Sequence, residues 1–110
     1  MLEKTTQMNL LYDFYGVMLT DKQREFVELY YLDDLSLAEI AEQFEISRQA
    51  VHDNIRRAGA QLLELESKLR LVERFERRRE VGERVLSLLD ELPEPRRHEA
   101  ALLVQELIEE

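Results

Sequence analysis

Apolar side chains recur at helical spacing from the start of the chain. Met8, Leu11, Tyr12 and Tyr15 fall at positions i, i+3, i+4 and i+7, which is the stripe that an amphipathic helix turns toward a core. The pattern predicts a first helix over about residues 3–18. A second helix is predicted up to about residue 33, with a threonine cap and three large apolar residues on its buried face: Thr20, Phe26, Leu29 and Tyr30.

Serine residues mark the starts of the next two helices. Ser36 is followed three residues later by Glu39, the spacing of a capping box, and predicts a short helix from 37 to about 43. Ser47 is the second cap signal. After it, apolar residues alternate in steps of four and three, a heptad seam that predicts one helix from 47 to at least 72: Val51, Ile55, Ala58, Leu62, Leu65, Leu69 and Val72.

The heptad pattern of apolar residues is interrupted at the three arginines of residues 77–79. An apolar stripe restarts over residues 81–92 and ends at Pro93 and Pro95, because proline cannot extend a helix interior. A last helix is predicted over about residues 96–108. With three glycines and two prolines among 110 residues, the composition favours helix throughout, so we predict an all-α fold.

The uneven charge distribution restricts where a polyanion can bind. The chain carries a formal net charge of −9, with −6 over residues 20–46 and −5 over residues 81–110. Residues 47–60 carry three arginines against one aspartate, a net of +2. A phosphate-facing patch can therefore survive in the middle of the chain if the fold turns both acidic blocks away.

Residue types and motifs that the sequence lacks indicate the cellular compartment and limit the chemistry of the protein. The chain contains no cysteine, which excludes disulfides and thiol catalysis and suits a reducing compartment. We find neither a signal-peptide core nor an apolar run long enough to span a bilayer, and expect a cytoplasmic protein. Glycine-rich phosphate loops and a nucleophile elbow are missing from the sequence, so we expect neither an enzyme nor a cofactor or metal site.

Residues 36–58, SLAEIAEQFEISRQAVHDNIRRA, match the layout of a helix-turn-helix. This motif needs a small residue where the helices cross, a short turn, and an apolar inner face on the second helix. Ala41 is the predicted crossing residue, and Ile46 is predicted to plug the turn. The first helix is lined by Leu37, Ile40 and Phe44, and the second turns inward Val51, Ile55 and Ala58.

The outer face of the second helix carries side chains that bond to phosphates and base edges. Asp53 lies in the middle of this face and would repel phosphate unless it pairs with Arg56 or Arg57, and Asn54 lies to the side. An alternative is a solvated face that keeps the fold without a ligand. The predicted nucleic-acid contact set is Arg48, Gln49, His52, Arg56 and Arg57.

The stretch LTDKQREFVELYYLDDLSLAEIAEQFEISRQAVHDNIRRA resembles the region-four helix-turn-helix of bacterial sigma factors. With NLLYDFYGVMLTDKQ at the front of the chain and LESKLRLVERF after the motif, the chain is similar to the YlxM-like family of helix-turn-helix proteins of Gram-positive bacteria, up to about residue 80. This resemblance implies an all-helical fold and a regulatory or accessory role in the signal recognition particle pathway. One departure is Glu45, at a turn position where many such motifs place glycine because the residue takes a positive φ.

We accordingly divide the chain into a helix-turn-helix domain over residues 1–72 and a C-terminal helical extension over 73–110. The run RFERRRE at 74–80 is either a second phosphate-binding patch or a solvated surface whose arginines pair with neighbouring glutamates. The long seam is either an intermolecular coiled coil, which would make a homodimer and is the reading we favour, or a brace packed on the first helix. A second function hypothesis is a protein-interaction module whose acidic flanks and leucine seam bind a basic partner, and the family resemblance suggests a component of the signal recognition particle.

Overall fold

The computed structural model describes residues 2–109, and this part of the chain is helical without any β-strand. The predicted all-α fold is therefore confirmed. A single 3₁₀ turn, Gly16–Met18, follows the first helix, and a π-helical segment, Glu28–Leu32, continues the second. The α-helices are α1 Leu2–Tyr15, α2 Asp21–Val27, α3 Leu37–Phe44, α4 Arg48–Leu69, α5 Leu71–Leu89 and α6 Arg96–Glu109.

The chain forms two compact units, one up to Arg70 and one from Leu71 onward. This division lies two residues before the boundary predicted from the apolar pattern. In the N-terminal unit, α2, α3 and α4 enclose a core of large apolar side chains, while α1 packs along α4. The core residues are Phe26, Ile40, Ala41, Val51 and Ile55, with Leu11, Tyr15, Ala58 and Leu62 buried beside them.

The predicted caps are present. Ser36 Oγ accepts a hydrogen bond from the Glu39 amide at 3.1 Å, and Glu39 Oε1 accepts one from the Ser36 amide at 3.1 Å, which confirms the capping box. Thr20 forms a second capping box, with Gln23 as its partner. Ser47 Oγ accepts from the Ala50 amide at 3.0 Å. These bonds satisfy backbone donors that a helix start leaves free, so each helix begins where its cap lies.

The prediction of one helix from 47 to at least 72 is wrong at its C-terminal end. α4 ends at Leu69 because Arg70 adopts the left-handed conformation, φ 58° and ψ 30°, while its amide donates to the Glu66 carbonyl at 2.8 Å. A single left-handed residue ends a helix without disturbing the apolar spacing in the sequence. Leu69 is 48% exposed, and Val72 belongs to α5.

The C-terminal unit consists of α5 and α6 packed against each other. The arginines of 77–79 lie inside α5 and do not interrupt it, because arginine and glutamate are good helix formers. Gly82 lies at the contact, where an added Cβ would meet Ile108. Several leucines of this unit remain exposed: Leu88, Leu92, Leu102, Leu103 and Leu107. Over residues 2–109, no helix has the length and apolar character that crossing a bilayer requires.

Candidate nucleic-acid interface

The turn between α3 and α4 is a Schellman motif. Glu45 adopts φ 57° and ψ 42°, so the positive φ expected at this position is confirmed. The Ile46 amide donates to the Ala41 carbonyl at 3.1 Å, and the Glu45 amide donates to the Glu42 carbonyl at 3.4 Å. These are the two bonds that close this type of helix end and fix the direction in which the second helix begins.

The two helices cross on small and apolar side chains. Ala41 is buried, as the prediction of a small crossing residue requires, and Ile40 is fully buried. Leu37 and Phe44 are partly buried against the same core. The prediction that Ile46 plugs the turn is wrong, since its side chain is 40% exposed. The backbone hydrogen bonds of the Schellman motif already close the turn, so no apolar plug is needed there.

The inner face of α4 is buried as predicted. Val51 and Ala58 have no exposed area and Ile55 retains 7%. Because residues on the opposite side of a helix point away from such a core, the polar side chains between them face solvent. All five residues of the predicted contact set are exposed: Arg48, Gln49, His52, Arg56 and Arg57.

Asp53 contacts the neighbouring polar side chains of α4 and not its arginines. Asp53 Oδ1 accepts a hydrogen bond from Gln49 Nε2 at 3.0 Å and lies 3.7 Å from His52 Nδ1. The pairing with Arg56 or Arg57 that would offset the repulsion between Asp53 and phosphate is not found among residues 2–109. Neither of these two arginines makes an ion pair in the described part of the chain, and the same holds for Arg48. Three exposed and unneutralised guanidinium groups therefore project from α4, with Arg56 and Arg57 about 100° apart around the helix axis.

A polar cleft of about 420 Å³ opens beside this face. It lies where the start of α2 approaches α4, and Asn54 Oδ1, which is buried, accepts no hydrogen bond from any described residue. Sequence reasoning placed Asn54 only to the side and Thr20 only as a cap. The α4 residues that line the cleft follow one another at i, i+3, i+4 and i+7, so the sequence could have shown that they share a helix face. The residues from the start of α2 could not be found in this way, because only tertiary packing brings them to α4. The cleft is lined by Thr20, Gln23, Ala50, Asp53, Asn54 and Arg57.

The basic run at 74–80 lies in the C-terminal unit. Arg77 Nη1 is 3.8 Å from Glu80 Oε2, and the Arg79 guanidinium lies 5.7 Å from the centre of the Phe75 ring. Both contacts are made within one helix at the spacing of neighbouring turns. They favour the reading of a solvated helix surface over that of a second phosphate patch.

A model of the family described as "Putative helix-turn-helix protein, YlxM / p13 like" matches residues 2–100. A UPF0122 protein of Geobacillus kaustophilus is 55% identical over 113 residues, covering 99% of this chain and 98% of that protein. UPF0122 proteins of Bacillus mycoides and Bacillus thuringiensis are 57% and 56% identical over 91 residues, 83% of either chain. These matches confirm the family resemblance noted from the sequence.

Proposed function

This chain belongs to the YlxM/p13-like family of helix-turn-helix proteins, and from this premise we propose that it binds nucleic acid through the exposed face of α4. One observation carries the proposal. Arg48, Arg56 and Arg57 are exposed and make no ion pair within residues 2–109. In a chain with 24 acidic residues, three exposed arginines of one helix that no carboxylate neutralises are available to bind phosphate groups.

The residues of the contact set can be assigned either to the phosphate backbone or to base edges. Arg57 adjoins the polar cleft, where the cap of α2 also lies, and is assigned to the phosphate backbone. Arg48 and Gln49 begin α4, the end of a recognition helix that reaches base edges in the major groove. His52 and Arg56 follow on later turns. Gln49 must exchange its hydrogen bond with Asp53 for one to a base, which lowers the net gain from that contact.

The charge of the chain limits the affinity. Phosphate contacts supply most of the sequence-independent binding energy, and this face offers three arginines, with the Asp53 carboxylate among them. Acidic blocks elsewhere in the chain repel a polyanion at long range. We therefore expect modest affinity for random duplex.

The proposal is tested by fluorescence anisotropy with labelled genomic duplex fragments and with the RNA of the signal recognition particle. Replacing Arg48 and Arg56 by alanine is expected to weaken binding severalfold. The matched control replaces two arginines of α5, Arg77 and Arg78, and is expected to leave binding unchanged. Unchanged affinity of the Arg48→Ala/Arg56→Ala variant for both DNA and RNA would remove this face from the site.

The finer parts of the proposal concern cellular role and assembly. We propose an accessory or regulatory role in the signal recognition particle pathway of the cytoplasm, because the family resemblance implies it, and we assign no catalysis to the chain.

We also propose a homodimer. Val51, Ile55, Ala58 and Leu62 are buried, which supports the brace reading for that part of the seam. The dimer proposal therefore rests on the exposed leucines of α5 and α6.

A second candidate function is a protein-interaction module that binds a basic protein partner without nucleic acid. The observation that favours it is the acidic surface at α3, where Glu39, Glu42 and Glu45 are all exposed. Reversing these three charges to lysine is expected to abolish a pull-down of the particle's protein component if this function holds. The Arg48→Ala/Arg56→Ala variant separates the two functions, because it should leave that pull-down intact.

A further inference from the structure

A second cleft of about 420 Å³ lies in the N-terminal unit, on the other flank of α4 from the polar one. Met8 of α1, Leu37 of α3, and Tyr30 and Tyr31 of the π-helical segment form part of its wall. α4 supplies the rest, from His52 to Leu63. Its volume falls in the range of small-molecule sites, roughly 300–1,000 Å³. A mostly apolar lining with a few polar groups at one end is also typical of such sites.

The π-helical segment gives this cleft its aromatic wall. Tyr30 and Tyr31 are consecutive residues of Glu28–Leu32, and their ring centres are 4.9 Å apart at an interplanar angle of 88°. π-Helical turns are rare, and proteins tend to keep them at functional sites. Burial raises the pKa of the Tyr31 hydroxyl, as does the neighbouring Tyr30. Like an ordinary tyrosine, Tyr31 is protonated at neutral pH and can donate a hydrogen bond.

Small residues on α4 keep the cleft open. Gly59 and Ala60 both line it. A Cβ added at Gly59 would lie 3.3 Å from the Met8 Cε, so the missing side chain sets the depth of the cleft at that point. Leu63 lines the far end and is 49% exposed. Apolar area is thus available to a ligand that enters from solvent.

The charge of the lining is the opposite of the charge of the chain. Among the described residues, no carboxylate contributes to the lining, although the chain contains 24 acidic residues. Arg56 lines the cleft without an ion pair among residues 2–109, and His52 lies one turn away on α4. An aromatic and aliphatic wall beside an unneutralised guanidinium is complementary to an anion with an apolar body.

We propose that this cleft binds a small aromatic anion, with its ring against Met8 and Tyr30 and its carboxylate or phosphate on Arg56. The ligand and a nucleic-acid phosphate would then compete for the same guanidinium. That competition rests on the proposed nucleic-acid function, whereas the ligand site itself does not.

The test is calorimetric titration of the full chain with 2-naphthoate and with the uncharged 2-naphthamide. The acid is expected to bind at least about tenfold more tightly, since it gains a charge-assisted bond to Arg56. A third arm, 1-naphthyl phosphate, tells which anionic group the cleft prefers. Arg56→Gln is expected to reduce the affinity for the acid to that for the amide.

A filling variant separates the ligand site from the nucleic-acid face. Ala60→Phe occupies the cleft and leaves His52 and Arg56 in place, so naphthoate binding is expected to be lost while nucleic-acid affinity is kept. Ala38→Phe, at an exposed position of α3 that does not line the cleft, is the matched control and should retain naphthoate binding. Leu63→Ala is a second variant, expected to weaken the binding without adding bulk.

The outcomes distinguish the two proposals. Absence of saturable naphthoate binding, equal affinity for acid and amide, or unchanged binding by both Ala60→Phe and Leu63→Ala would overturn the ligand site. If naphthoate binds as expected and neither DNA nor RNA binds, the ligand site stands and the nucleic-acid function fails. If both bind and saturating naphthoate leaves nucleic-acid affinity unchanged, the competition is refuted.

Discussion

The hydroxyl of Tyr15 donates a hydrogen bond to Glu66 Oε1 at 2.5 Å and so joins α1 to the C-terminal half of α4. Tyr15 is 1% exposed. Hydrogen bonds to charged groups contribute about 1.5–3 kcal/mol, more than neutral ones. Tyr15→Phe removes this bond with little change in shape and is expected to lower the free energy of unfolding by that amount, measured by urea denaturation.

A neighbouring glutamate provides the control for this bond. Glu64 pairs with Lys68 at 3.2 Å within α4, and both side chains are more than 60% exposed. Exposed i, i+4 pairs contribute about 0.3–0.5 kcal/mol. Glu64→Gln should therefore cost far less than Glu66→Gln. Equal costs at the two positions would mean that the link between α1 and α4 carries no special stability.

Glu45 adopts a left-handed backbone conformation that glycine would adopt at a lower cost in free energy. A non-glycine residue in this conformation costs roughly 1–2 kcal/mol, because its Cβ crowds the backbone. Glycine offsets roughly 0.5–1 kcal/mol of that through the added entropy of the unfolded chain, so Glu45→Gly is expected to stabilise the N-terminal unit by about 0.5–1 kcal/mol, or about 2–8 °C in the melting temperature. The hydrogen bonds of the Schellman motif are made by the backbone and are retained in this variant.

Glu42→Gly is the matched control, because it makes the same change inside α3. Glu42 is exposed and helical, so glycine there adds backbone entropy to the unfolded chain without relieving strain and is expected to cost about 1 kcal/mol. Opposite signs at positions 42 and 45 would identify the left-handed conformation as the cause. Destabilisation at both would refute the strain argument.

The sequence alone predicted the helix starts and the buried face of α4, because these features depend on residues close together in the chain. Ser36 with Glu39 fixed a helix start, and the spacing of Val51, Ile55 and Ala58 identified the buried face of α4. The break at Arg70 escaped prediction because a left-handed residue needs no glycine and leaves the apolar spacing intact.

The two clefts were also outside the reach of sequence reasoning. Each is formed by residues from helices distant in sequence, such as Thr20 with Asn54 and Met8 with Gly59. The π-helical segment that contains Tyr30 and Tyr31 was equally out of reach, because helix propensities do not distinguish a π-helical turn from an α-helix.

The helical glycines Gly59 and Gly82 are expected to respond differently to alanine. A Cβ at Gly59 meets only the flexible end of Met8, at 3.3 Å, so Gly59→Ala should gain most of the roughly 1 kcal/mol of helix propensity. A Cβ at Gly82 would come within 2.5 Å of Ile108 Cδ1 and Cγ1. Overpacking of that kind costs about 1–3 kcal/mol, so Gly82→Ala should destabilise the pair of α5 and α6.

A second substitution tests the cause at Gly82. Ile108→Val removes the Cδ1 atom and is expected to recover part of the loss in the Gly82→Ala background. Both are measured as shifts in the urea unfolding midpoint. If Gly82→Ala alone proves as stabilising as Gly59→Ala, then α5 and α6 do not approach closely at this point.

Stability is expected to fall at high pH through Tyr12. Burial, and next its hydrogen bond to Glu28, raise the pKa of the Tyr12 hydroxyl above its ordinary value of 10.0. The folded state therefore holds this proton more tightly than the unfolded chain does. Its contribution is present in full below about pH 10 and is lost as the pH rises through the folded-state pKa.

This pH dependence is checked by urea unfolding midpoints between about pH 8 and about pH 11. The unsubstituted chain should lose stability above about pH 10. Tyr12→Phe, which has no proton to lose, should show a shallower decline over the same range while being less stable at neutral pH. Parallel curves for the two proteins would assign the decline to other groups.

The number of exposed arginines on α4 sets the expected salt dependence of nucleic-acid binding. For B-DNA the logarithm of the binding constant falls with the logarithm of salt concentration by about 0.9 per neutralised phosphate, so Arg48, Arg56 and Arg57 together predict a slope of about −3 for each bound module. Arg57→Ala should reduce it by about 1, and Arg78→Ala should leave it unchanged. A slope near −6 that falls when Arg77 and Arg78 are replaced would instead assign phosphate contacts to α5. In that case the ion pair between Arg77 and Glu80, 3.8 Å long in the free chain, must open on binding, and the face of α4 would no longer account for the interaction.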